Sequence, residues 1–185
     1  MTTIFNGMSN SLDEIISRLK KGEVGIFPCD TIYGICSIVQ PEQKERIMEI
    51  KKRALNKSFI SLVNFDYLKK SDLTVPEVLY SVWPAPLTAI LADSTGVTYA
   101  VRVPKDNNLA PILKELGAIY STSVNISSQK ALQVFEDIYE EFNGIVDFIV
   151  KEEVDVNAKA STILDCTKHP FVVLRQGAFD VSSIL

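Results

Sequence analysis

Apolar and polar positions along this chain follow two rhythms, and the rhythm changes often. Leu12, Ile15, Ile16 and Leu19 recur on one helical face, with Ser11 and Glu14 placed as a capping box and Gly22 as a stop. The apolar run 24–27 then predicts a strand that Pro28 ends. A short polar break exposing Asp30, Thr31 and Tyr33 follows, and a second apolar strand begins after Gly34. Pro41 suits the first turn of another helix, whose stripe is Ile47, Ile50 and Ala54. Residues 59–63 predict a strand, and 65–82 one or two short helices with Val75, Val78, Leu79 and Val82 on one face.

In Trp83-Pro84-Ala85-Pro86-Leu87-Thr88 two prolines halt the helix and set an extended turn before a strand at 88–92. A further strand over 98–103 carries Arg102 and ends at Pro104; a helix over 109–116 stops at Gly117. Over 118–125, period-two geometry puts Ser121, Ser123 and Asn125 on one face. The pattern then gives a loop at 127–133, an acidic helix at 134–142 and a strand at 146–150. The charged, small-residue stretch 151–160 has the most mobile composition. Strands at 161–166 and 171–174 follow, the second with Arg175 and Gly177 at its end. No repeat or linker divides residues 1–185, so a single domain is expected. Strands alternate with helices without strict βαβ regularity, which predicts an α/β fold built on a twisted mixed β-sheet with flanking helices.

Composition narrows the function classes. At 185 residues, 46% hydrophobic and 23% charged, the chain can bury a proper core. A net charge of −4 argues against a broad electrostatic grip on nucleic acid and leaves room for a local basic pocket. Cys29, Cys36 and Cys166 form no C-x-x-C pair, and reduced cytosolic thiols are the expectation. A single histidine disfavours a His-rich zinc site. There is no basic-then-apolar leader, and no apolar run approaches ~20 residues, so a cytoplasmic, membrane-free protein is expected.

The candidate chemistry is scattered. Neither a Walker loop nor a G-x-G-x-x-G is present, and there is no G-x-S-x-G elbow or evident carboxylate couple. Lys51 and Arg53 sit two apart, so on a helix they would point to different sides. Gripping one ligand requires the helix to end there; otherwise the cations merely complement its dipole. Lys57 shares the same polar linker. Trp83 taken alone is a core residue, and Cys29 has no histidine or second cysteine in its motif to make it reactive. Hydroxyls, one amide and cations at strand ends bind and orient; they supply no covalent nucleophile. Such a set suits substrates that bring their own nucleophile and leaving group, as in transfer at a nucleoside triphosphate.

These motifs, in this order, resemble the YrdC/TsaC family of threonylcarbamoyl-AMP synthases from about residue 12 to residue 178. Pro28-Cys29-Asp30-Thr31-Ile32-Tyr33-Gly34 is similar to its P-T-[DE]-T-x-Y-G, Lys51-Lys52-Arg53 to its K-x-R, and Trp83 to Thr88 to its W-P-G-P-L-T. Val101-Arg102-Val103-Pro104 resembles V-R-x-P, and Ser123-Val124-Asn125 resembles S-x-N. Ser161 to Asp165 matches S-T-[IV]-x-D, and Leu174-Arg175-Gln176-Gly177-Ala178 matches L-R-x-G-A.

The resemblance implies a concave, positively lined cavity over the sheet. It implies an enzyme, a nucleotidyltransferase that makes threonylcarbamoyl-AMP and pyrophosphate from L-threonine, bicarbonate or CO2, and ATP with Mg2+. Proteins of a tRNA threonylcarbamoyl-transfer complex would use the product, with tRNA contact weak or indirect. By matching position, Lys51 and Arg53 would be catalytic. Lys51, Arg53, Lys57, Ser123, Asn125 and Arg175 would face ATP, and Thr31, Arg102 and Ser161 would face threonine. Ser121, on the Ser123 face, could serve either side and is grouped with threonine. No acidic cluster suggests a protein cage for the metal. Four departures stand out: Cys29 for a threonine, Ala85 for a glycine, Asp106 where histidine is frequent, and Ala160 where glutamate is common. Ala85 is acceptable only with a negative φ. The last two bear on which amino acid is taken, and the alternative is a YciO-like nucleotide- or RNA-binding paralogue without synthase activity.

Overall fold

The first helix shows how local signals and packing share the work. In the computed structural model, which describes residues 1–52, 59–127, 129–182 and 184, α1 (Leu12–Lys20) buries Ile15 and Leu19 and is followed by Gly22 at φ +82°. The expected capping box is absent. Ser11 closes a 3₁₀ turn and its side chain caps nothing, while Glu14 pairs with Arg18 at 3.1 Å along the helix. The break after Pro28 separates β2 (Gly25–Pro28) from β3 (Tyr33–Ile38). α2 (Pro41–Ile50) carries its proline in the first turn, where a missing N–H costs nothing. β4 (Ile60–Val63), α3 (Phe65–Lys70), α4 (Glu77–Val82), β5 (Leu87–Ala92) and β6 (Thr98–Arg102) then follow. α5 (Leu109–Leu116), β7 (Ala118–Ser123), α6 (Phe135–Phe142), β8 (Phe148–Lys151), β9 (Thr162–Asp165) and β10 (Val172–Arg175) complete the order. The pattern missed β1 (Thr3–Asn6), a four-residue strand that exists through its parallel pairing with β8.

The ten strands form one mixed sheet in the order β1-β8-β2-β3-β7-β4-β6-β5-β9-β10. Side chains alternate across it. Ile26, Ile35 and Ile149 point to one face and pack with Ile47 of α2 and Ile138 and Phe142 of α6. Phe27, Cys36, Phe148 and Val150 point to the other, against Ile15 and Leu19 of α1 and Leu109, Ile112 and Leu113 of α5. Each such aliphatic side chain contributes ~1.5–3 kcal/mol by leaving water, before chain entropy is counted. Gly25 is required here, because a Cβ would overlap the Phe148 ring.

The β5, β6 and β9 half has its own core around Trp83, whose indole N–H donates to the Leu87 carbonyl at 2.8 Å. Trp83 is therefore the core residue expected of it. Ala85 is not among the described residues with positive φ, so the change from glycine is accommodated. The 151–160 stretch is better anchored than its composition suggests. The Glu152 carboxylate accepts the Met8 amide at 2.8 Å, and at the far end the Ala160 carbonyl accepts the Ala178 amide at 3.0 Å. Asp147 ties α2 to β2: it accepts both Arg46 terminal nitrogens, at 2.6 and 2.9 Å, and the Val24 amide at 2.7 Å.

Candidate active site

A cavity of about 350 Å³ opens over the sheet where β3, β7, β4, β6, β9 and β10 come together. Thr31, Arg102, Ser121, Ser123, Asn125, Ser161 and Arg175 all line it, although they are spread from one end of the sequence to the other. Arg53 and Lys57 lie outside the described residues. Lys51 does not line the cavity.

Lys51 stands behind the wall instead. At the C-cap of α2 it is 2% exposed, and its amine donates to Asn125 Oδ1 at 2.7 Å, to the Asn125 carbonyl at 2.9 Å and to the Ser123 carbonyl. Ser123 Oγ donates to the same Asn125 Oδ1 at 2.8 Å, and Asn125 Nδ2 donates to the Gln129 carbonyl at 2.6 Å. The helix does end at Lys51, as a shared grip on one ligand requires, and Lys52 turns the chain with φ +49°. What Lys51 grips among the described residues is the end of β7, which fixes the wall that carries Ser123 and Asn125.

The opposite wall is cationic. Arg175 donates from Nε and Nη2 to the Ser161 carbonyl at 3.0 and 2.8 Å, and from Nη2 to Ser161 Oγ at 3.2 Å. Ser161 Oγ lies 2.9 Å from Thr88 Oγ1. Burial lowers the Arg175 pKa, and the Arg102 guanidinium lowers it further. The two guanidiniums at the cavity repel each other, a repulsion that an anion placed beside them would relieve.

Asp30 and Tyr33 are not exposed as the polar break suggested. Asp30 Oδ1 lies 2.8 Å from Arg102 Nη2, with the two side chains 2% and 4% exposed. Among the described residues neither Asp30 oxygen has an aligned hydrogen-bond donor, and Arg102 Nε has no acceptor. Burial raises the Asp30 pKa, Arg102 opposes the rise and Asp106 adds to it. The Tyr33 hydroxyl lies 3.0 and 2.9 Å from the Val150 and Glu152 carbonyls, which share its one proton, and accepts the Glu152 amide at 3.0 Å; burial pushes its pKa up to about 12. It is a structural hydroxyl, unsuited to proton transfer near neutrality. Asp106 has a local role: its Oδ1 accepts the amides of Asn108 and Leu109, at 2.8 and 2.9 Å, at the start of α5.

Cys29, a wall residue, sits in a small cluster around Gly34. Its sulfur is 3.7 Å from Cys36 Sγ and 3.6 Å from Ser121 Oγ. A Cβ on Gly34 would fall 2.7 Å from Ser121 Oγ and 3.0 Å from each sulfur, so the glycine keeps this part of the wall open. Burial holds the Cys36 thiol well above its usual pKa, and all three cysteines are unbridged thiols. Sequence reasoning missed Gln129 in the wall and Asp30 behind Arg102. Both depend on contacts distant in sequence.

A hydroxyl-lined hollow with one buried guanidinium, Arg102, and a second, Arg175, at its more exposed side, set on a twisted mixed sheet, defines an α/β protein built to seat small anionic ligands. The chain belongs to the Sua5/YciO/YrdC family, whose model, with the description "Telomere recombination", matches residues 17–177. It is 27% identical over 157 residues to the threonylcarbamoyl-AMP synthase of Buchnera aphidicola, covering 75% of this chain and 84% of the relative. The structure of Pyrococcus abyssi Sua5 complexed with L-threonine matches with TM-score 0.87 at 25% identity, over 99% of this chain and 60% of that one. This chain therefore spans less than two thirds of Sua5. E. coli YciO matches with TM-score 0.85 at 22% identity over the whole of both chains, a likeness of fold.

Proposed function

We propose that this chain is an L-threonylcarbamoyladenylate synthase, a nucleotidyltransferase acting on L-threonine, bicarbonate or CO2, and ATP. The observation that carries the reading is the convergence of Arg102 and Arg175 with Ser121, Ser123 and Ser161 on one cavity. The relatives named as threonylcarbamoyl-AMP synthases and the threonine complex of Sua5 support it.

In this reading the threonine amine attacks CO2, and the resulting carbamate oxygen attacks the α-phosphorus as pyrophosphate leaves. The protein supplies placement and charge. Arg102, with Thr31, Ser121 and Ser161, seats the amino acid. Arg175, Ser123 and Asn125 face the nucleotide, and the family resemblance adds Arg53 and Lys57, which lie outside the described residues. Lys51 acts by holding the Ser123–Asn125 wall in place. Mg2+, implied by the family resemblance, would come bound to the nucleotide and offset its phosphate charge. Transfer to tRNA falls to partner proteins in the cytoplasm, and a net charge of −4 suits a chain that makes no broad grip on tRNA itself.

Pyrophosphate release from ATP and bicarbonate, with and without L-threonine, tests the proposal. Threonine-dependent release is expected. Release without threonine, or none, contradicts it and favours the YciO-like reading.

A further inference from the structure

Arg102 and Asp30 form a buried ion pair with an unusual division of contacts. Removing two charges from water is costly, and one contact offsets little of that cost. Yet a single 2.8 Å approach joins Asp30 Oδ1 to Arg102 Nη2, and Arg102 Nε has no acceptor among the described residues. Arg102 lines the cavity and Asp30 does not, although its neighbours Cys29 and Thr31 do. The turn is closed by the Cys29 amide donating to the Ile32 carbonyl at 3.2 Å. A guanidinium is a rigid plane of five donors, so a hold on one nitrogen orients the rest.

We propose that Asp30 is the positioning residue for Arg102, holding the guanidinium from behind so that its remaining donors meet the carboxylate of the amino-acid substrate. The inference rests on the synthase reading and adds a residue to it.

A pH dependence follows from the groups around Asp30. Arg102 favours its charged form, as do the amides of Asp30 and Lys105, while burial and the neighbouring Asp106 disfavour it. Arg102 is itself faced by Arg175 and by the buried Cys36 thiol. The holding form is the carboxylate. Because its pKa is raised, acidification neutralises Asp30 at a higher pH than an ordinary aspartate and releases Arg102. The substrate's own carboxylate titrates lower still, so an acid limb in threonine affinity reports Asp30. Asp106→Asn retains an acceptor for the Asn108 and Leu109 amides while removing the like charge.

The experiment is steady-state pyrophosphate release by the full chain across mildly acidic to neutral pH, varying L-threonine. It uses wild type, Asp30→Asn, Asp30→Glu and Asp106→Asn, with calorimetric binding of L-threonine in parallel. Asp30→Asn is expected to raise the threonine KM about tenfold, leave kcat and the ATP KM within about twofold, and abolish the acid limb. Asp30→Glu restores part of the affinity and the limb. Asp106→Asn shifts the limb to lower pH with an unchanged neutral KM, and needs no change at the buried pair should Asp30→Asn fold poorly. A wild-type threonine KM and acid limb in Asp30→Asn, or an unmoved limb in Asp106→Asn, overturns the assignment while the synthase reading stands. Wild type that neither binds nor turns over threonine overturns both.

Discussion

Lys51 and Arg102 are both buried cations beside one cavity, and their surroundings differ. Among the described residues the Lys51 amine donates to oxygens of Ser123 and Asn125, whereas Arg102 is joined at 2.8 Å to Asp30 and keeps an Nε with no acceptor among them. A buried charge with its hydrogen bonds made holds structure together, because nothing is gained by exchanging those partners. A buried charge with hydrogen-bonding capacity left over is stabilised by whatever ligand completes it. The same contrast separates the β7 wall, locked from behind, from the β6, β9 and β10 wall, where Arg102 keeps an unmatched Nε and Arg175 adds a second guanidinium.

Breaking the ligand side has the largest expected effect. Arg102→Lys keeps a charge but loses the planar fork, and threonine-dependent turnover is expected to fall about 10²-fold in pyrophosphate-release kinetics with the melting temperature little changed. A loss of stability equal to the loss of activity would place Arg102 in the same class as Lys51. Lys51→Met should invert the result. It removes the ammonium from the Ser123 and Asn125 carbonyls and leaves Asn125 Oδ1 with the Ser123 hydroxyl alone, lowering stability by ~2–4 kcal/mol in denaturant unfolding, with turnover lost through the displaced Ser123 and Asn125. Full stability in that variant would remove the distinction between the two cations.

That distinction was only half legible in the amino-acid sequence. The hydroxyl face of β7 was readable because a strand's period is two, so Ser121, Ser123 and Asn125 had to share a side. The end of α2 was legible only conditionally: the apolar stripe ran on to Ala54, and a stop near Lys51 was required only if both cations grip one ligand. The Lys51 partners were not legible, since the Ser123 and Asn125 carbonyls it meets are backbone groups, which look alike at every position. Asp30 was read as exposed because its burial is supplied by Arg102, far along the chain. Residue pattern gives no sign of β1 either, since it depends on β8 and on the Thr2 hydroxyl donating to the Val146 carbonyl at 2.7 Å.

A smaller effect sharpens the comparison from outside the cavity. Burial raises the Asp147 pKa, but the hydrogen bonds from Arg46 and the Val24 amide outweigh it, and the net pKa is lowered. A carboxylate with a depressed folded pKa contributes stability that is complete above its unfolded pKa and lost as pH falls through the folded one. Melting temperatures of wild type and Asp147→Asn should therefore differ at neutral pH and converge in acid. A gap that persists at low pH would show that the ion pair is not its source. This pair is partly solvated, so its effect should be the smallest of the three.

Calorimetric titration of L-threonine into wild type and Arg102→Lys tests the central claim most directly, since it reads the guanidinium's ligand without relying on turnover. The account predicts one site per chain in wild type, with affinity weakened at least about tenfold in the variant. Equal affinity in the two proteins, with both folded, would contradict it.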